Sequence, residues 1–156
     1  MSTRFEVPSS AAVVDLLGII FGTDISVSDS ESKDLDSKHI ATFIDREDKL
    51  VAVCACDKPF VGFSGGALSM MPVGAIEDMI AEDDLSGTLL DNFYEVMNIS
   101  SKLMLSDTSD HLRLDKTMLA SEADAAVSDL AASSTHVGFE LDIPNYGKGS
   151  MDFFIA

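Results

Sequence analysis

Between Thr88 and Leu105 the apolar side chains fall at helical spacing, and this constrains the fold more than any other feature of the chain. At 3.6 residues per turn, Leu89, Phe93, Val96, Met97 and Met104 form one broad stripe, with Leu90 and Leu103 at its edges. A helix with such a stripe is stable only when the stripe is buried against a second layer. The rest of the chain has to supply that layer.

Several segments qualify. Pro8 to Phe21 reads as a helix, with Ser9 or Ser10 as its cap and Gly22 as its stop. Ile25 to Val27 starts a short strand, and residues 28–38, rich in Ser, Asp and Lys, read as a mobile loop. His39 to Ile44 and Leu50 to Cys56 form a hairpin around the polar turn Asp45 to Lys49. A second helix opens near Pro59 and runs toward Met71, where Pro72 ends or kinks it. Its three glycines, Gly62, Gly65 and Gly66, each cost about 1 kcal/mol in a helix interior and weaken it, and the run Ser64-Gly65-Gly66 points to close helix–sheet packing. They do not form a phosphate-binding loop, which needs a longer glycine spacing followed by Lys and Ser or Thr.

Ala75 to Ile80 is a short helical piece, and Glu82-Asp83-Asp84 a solvated loop. Leu112 to Leu119 reads as a strand with Leu112, Leu114 and Met118 on one side. Glu122 to Ala132 is Ala-rich and helical, and Val137 to Ile143 and Ser150 to Ile155 are strands joined by a turn. Helices together with antiparallel hairpins predict an α+β domain, an antiparallel or mixed sheet packed by long helices. One such domain spans residues 1–156.

Charge narrows the partners. The chain carries 27 Asp and Glu against 10 Lys and Arg, a formal net charge of −17. That field repels nucleic acid and anionic lipid, so neither is expected as a partner. No apolar run is long enough to span a bilayer, and the N-terminal Met-Ser-Thr-Arg-Phe-Glu-Val-Pro lacks the layout of a secretory leader. The expected location is the cytoplasm. Cys54 and Cys56 alternate on a strand, so both point to one face and read as reduced thiols packed in the core. His39, His111 and His136 are scattered singly, which leaves the cysteines without companions for a metal site.

The face of the long helix away from the core holds the chemistry. With Asp91 at 0°, Glu95 falls near about 40°, Asn98 near about −20° and Lys102 near about 20°. Asn is a poor helix former because its side chain competes for backbone hydrogen bonds, so Asn98 is the anomaly of this stripe. Its amide can both donate to and accept from one water, and so can orient a nucleophile. A neighbouring carboxylate can grip a cation on a partner.

The segment Leu90-Asp91-Asn92-Phe93-Tyr94-Glu95-Val96-Met97-Asn98-Ile99 resembles the signature of the CheX, CheC and FliY phosphatases of bacterial chemotaxis. In that signature an Asp or Ser is followed after three residues by Glu and after two more by Asn. The stretch Phe139 to Gly149 looks like the family's closing hairpin. With one Glu-x-x-Asn helix, the chain is more similar to single-site CheX than to two-site CheC. The resemblance implies a CheC-like fold and hydrolysis of the phospho-aspartate on a phosphorylated CheY-like receiver domain. Asn98 would position the attacking water, Glu95 would pair with the receiver's active-site Lys, and Asp91 and Lys102 would make supporting partner contacts.

The protein then needs no cofactor of its own, since the Mg²⁺ belongs to the receiver, and a homodimer is expected. The alternative is a CheC-like binding module without catalysis, docking a receiver domain or the flagellar switch. The chain departs from the family pattern in two places. No Pro lies between Pro72 and Pro144, and Lys102 stands where a small residue is common.

Overall fold

A computed structural model of the protein describes residues 5–156. Residues 1–4, part of the stretch weighed against a leader, lie outside the described residues. The first helix, α1 (Ser10–Phe21), starts two residues later than Pro8, because Ser9 takes the cap position and its hydroxyl accepts from the Ala12 N–H at 3.2 Å. It stops at Gly22, whose φ of 66° is the left-handed geometry that glycine adopts freely. Strand β1 (Ser26–Ser30) is followed by the hairpin β2 (His39–Ile44) and β3 (Leu50–Cys56). In its turn the Asp45 carboxylate accepts from the Glu47 and Lys49 N–H groups at 2.8 and 3.0 Å.

Helix α2 (Lys58–Leu68) carries Pro59 in its first turn and is capped by Asp57. It ends before Met71, and Pro72 caps the next helix, α3 (Val73–Ala81). Helix α4 (Gly87–Ser100) tightens into a 3₁₀ turn, Ser101–Met104. Then come β4 (Arg113–Leu119), a 3₁₀ turn (Ala120–Glu122), α5 (Ala125–Ser133), β5 (Thr135–Ile143) and β6 (Gly147–Ile155).

The six strands form one sheet in the order β1-β5-β6-β3-β2-β4, with every neighbouring pair antiparallel. The expected α+β class is therefore correct. Ser28 to Ser30, expected in the loop, belong to β1 because they pair with Gly138 to Glu140 of β5. Since β1 is at one edge and β2 sits near the other, residues 31–38 have to cross the sheet. Leu35 packs on the face they cross. Lys38 ends the crossing by donating to Ser150 Oγ at 3.0 Å, with Asp152 3.6 Å away. Asp152 also lies 2.9 Å from His136 Nε2. Burial pushes the Asp152 carboxyl above the usual carboxylate range, against the pull of His136 and Lys38.

The larger core lies between the sheet and the helices α1 to α4 and includes Phe43, Phe60, Phe93, Phe139 and Phe153. The opposite face packs Ile40, Val53, Ala55 and Phe154 against Val127 and Leu130 of α5. Cys54 and Cys56 are fully buried in the larger core with their sulfurs 3.9 Å apart, as a pair of packed thiols should be. Burial holds the Cys56 thiol well above its ordinary range, which makes it a poor nucleophile.

Two expectations need correction. Leu114 and Met118 do not share a face. The register of β4 on β2 shifts between Thr42 and Phe43, so Leu114 enters the larger core while Met118 packs with the cluster around α5. The glycines of α2 serve helix–helix rather than helix–sheet contacts. A Cβ on Gly65 would lie 2.8 Å from the Leu89 carbonyl oxygen of α4, and one on Gly66 would strike Ile76 of α3. Close approach between helix and sheet is made instead by Gly149 of β6, where a Cβ would lie 2.6 Å from the Phe60 Cα.

Candidate functional site on the outer face of α4

Helix α4 begins at Ser86, whose hydroxyl accepts from the Leu89 N–H at 3.3 Å. Leu89, Phe93, Val96, Met97 and Ser100 are buried beneath it. Its placement is fixed by α2. Backbone meets backbone at Gly65 and Leu89, and the Asn92 amide donates to the Gly65 carbonyl at 2.8 Å and to Ser69 Oγ at 2.6 Å. The helix cannot roll about its axis without breaking these contacts.

Asp91, Glu95 and Asn98 all stand exposed on the outer face. Their i, i+4 and i, i+3 spacings put neighbouring Cβ atoms roughly 5–6 Å apart. Among the described residues no hydrogen bond or ion pair engages the side chain of any of the three, the Ser101 hydroxyl donating only to the Asn98 backbone carbonyl, so their side-chain polar groups are free to meet a partner. The fourth member of the predicted stripe is displaced. The α-helix ends at Ser100, and Lys102 lies in the 3₁₀ turn, where a turn of 100° per residue no longer applies. Lys102 is exposed and lines a groove of about 460 Å³ beside α1, with Val7, Leu16, Ile19 and Leu105. The structure thus brings three of the four residues together and sets Lys102 at the end of the stripe.

The site is convex. Three other cavities, of about 240, 230 and 350 Å³, are lined by residues of β1, β2, β4, β5, α1 and α5 and by none of Asp91, Glu95 and Asn98. Sites for small molecules are concave and bury most of their ligand. Among the described residues, no three His, Cys, Asp or Glu side chains come together as a metal ion requires. A ridge bearing a carboxylate, an amide and a second carboxylate suits insertion into a depression on another macromolecule.

The sequence reading missed Asn92. Its signal was available: it is a second poor helix former in the same helix, only six residues before Asn98. Asn92→Ala removes both hydrogen bonds and leaves the Gly65 carbonyl partly buried without that donor. A loss of about 1–2 kcal/mol is expected, read as a lower urea midpoint at unchanged slope.

No protein-family model matches the chain, and no curated protein matches it. Solved structures do. FliY of Thermotoga maritima is 18% identical with a TM-score of 0.58, over 92% of this chain and 81% of that one. CheX of Desulfovibrio desulfuricans is 14% identical with a TM-score of 0.50, over 94% of this chain and 95% of that one. A chain of a FliG–FliM complex from H. pylori is 9% identical with a TM-score of 0.51, over 94% and 85%. At these identities the likeness is one of fold, and no helix among the described residues is long and apolar enough to cross a membrane. The element order, the six-stranded antiparallel sheet and the covering helices give this chain the fold shared by CheX and FliY.

Proposed function

We propose that the protein is a phosphatase for a phosphorylated CheY-like receiver domain in chemotaxis. The observation that carries this reading is the rigid, outward-facing trio Asp91, Glu95 and Asn98 on a convex helix, in a chain with the CheX and FliY fold. A convex site does not enclose a phosphorylated metabolite, but it can enter a pocket that already holds the phosphoryl group. In that pose the Asn98 amide holds the attacking water in line with phosphorus. Glu95 pairs with a lysine of the receiver, and Asp91 and Lys102 contact its rim. Hydrolysis of an acyl phosphate needs positioning and charge stabilisation more than a covalent nucleophile. The receiver supplies the phospho-aspartate and the Mg²⁺, and this chain contributes no cofactor.

The test is to incubate the protein with a phosphorylated receiver domain and Mg²⁺ and to follow release of inorganic phosphate. Acceleration that depends on Asn98 and Glu95 supports the phosphatase. Binding without acceleration supports a second reading, a non-catalytic binding module for a receiver domain or the flagellar switch, the latter in keeping with the likeness to a chain of a FliG–FliM complex. A homodimer is part of the proposal and is read from sedimentation.

Charge sets the association kinetics. A protein of net charge −17 is repelled by an acidic receiver at long range, even though Glu95 finds a cation at contact. Near 0.15 M salt the Debye length is only about 8 Å, so the long-range repulsion is screened. The association rate constant should therefore rise with ionic strength. A rate that falls as salt is added contradicts the proposed pairing.

A further inference from the structure

Beside the polar trio, α4 exposes two large apolar side chains, Leu90 at 38% and Tyr94 at 41%. They are four residues apart, so they touch the same strip of surface. With Asp91 at 0°, they lie near about −100° and −60°, adjoining Asn98 near about −20°. The larger core does not claim them: neither side chain is buried in it or packed against it. Leu90 and Tyr94 thus adjoin the polar trio on one exposed surface, which presents apolar and polar groups side by side.

We infer that Leu90 and Tyr94 form the apolar docking strip for the receiver domain, setting affinity while Glu95 and Asn98 act on the phosphoryl group. This rests on the proposed function for the identity of the occupant. Two observations support the assignment. An α-helix with its side chains is only about 10–12 Å wide, so a domain seated on Asp91, Glu95 and Asn98 also covers a strip 60–100° around the same helix. The charge of this chain points the same way: at −17 it offers long-range attraction only to a basic partner, and burial of apolar surface is a contribution that this charge does not oppose. Tyr94 suits the role, since it offers a large ring with few rotatable bonds and a hydroxyl at its tip.

The experiment uses the full chain and CheY-like receiver domains of its own organism, loaded with beryllofluoride and Mg²⁺ as a stable phosphoryl mimic. Three proteins are compared: wild type, Leu90→Ser with Tyr94→Ser, and the control Leu119→Ser. Leu119 is also 40% exposed but lies at the end of β4, on a different element from the strip. The double variant should raise Kd by about tenfold or more. Its kcat at saturating phosphorylated receiver should stay within twofold, its melting temperature should hold, and the control should bind as wild type does.

Unchanged Kd in the double variant overturns the inference, as does a wild type that binds no receiver. A double variant that alters only the oligomeric state overturns it too, assigning the strip to a second copy of the chain. If wild type binds a receiver but does not speed phosphate loss, the phosphatase reading fails. The docking strip is then still decided by the same Kd comparison.

Discussion

Asn98→Ala should lower the receiver phosphatase rate at least about 100-fold while leaving the fold intact. The magnitude follows from what removal of one preorganised hydrogen-bonding group costs when that group acts mainly in the transition state. The separation from stability follows from its surroundings. Asn98 is exposed, its side chain engages no described neighbour, and Ala is the better helix former by up to about 0.7 kcal/mol. The melting temperature should hold or rise as activity disappears. Glu95→Ala should act differently: a residue that holds the docked pose raises KM as well as lowering kcat. Full activity in Asn98→Ala would remove the water-positioning role outright, and a lowered melting temperature would show that Asn98 serves the fold.

Gly149→Ala should cost about 3 kcal/mol, the high end of ordinary overpacking. A Cβ there would lie 2.6 Å from both Cα and Cβ of Phe60 and 2.7 Å from its backbone nitrogen. Backbone cannot rotate away as a side-chain tip does, so either α2 lifts from the sheet or β6 bends. A chain of this size should lose roughly 6–12 °C in Tm. Gly74→Ala is the matched control, because a Cβ on Gly74 meets nothing within 4 Å and replaces glycine inside α3. It should stabilise by up to about 1 kcal/mol. A Gly149→Ala protein as stable as the wild type would mean that the approach of α2 to the sheet does not constrain Gly149.

The contrast between these two glycines also shows what the sequence could and could not say. Periodicity is local, so α1, α4 and the β2–β3 hairpin were legible from spacing and caps alone. The trio on α4 was legible for the same reason, since one helix carries all three residues. Features that depend on distant segments were not legible. Gly65 looked like a weakness in a helix until Leu89 was seen against it, and the glycines were assigned to the wrong neighbour. Asn92 looked like an ordinary residue of the signature because its partners lie far off in the chain, Gly65 in α2 and Ser69 just past its end.

Lys102 was misplaced on the wheel because the change from α to 3₁₀ at Ser101 leaves no mark in composition. The turn of Met118 to the other face depends on a register shift in β4, which a period-two pattern cannot register. Ser28 to Ser30 read as loop from their polarity, yet an edge strand solvated on one side tolerates such residues.

The convexity of the α4 face bears on how such a protein can be controlled. A recessed site can be plugged by a metabolite or a drug-sized inhibitor that buries itself in the recess, whereas a ridge offers no such foothold. Blocking Asp91, Glu95 and Asn98 requires a body broad enough to cover them, which means another protein or a long peptide. Inhibition in the cell would then follow stoichiometry, with each covering molecule silencing one ridge. Output would depend on the ratio of the ridge to its competitors more than on the level of any small signal.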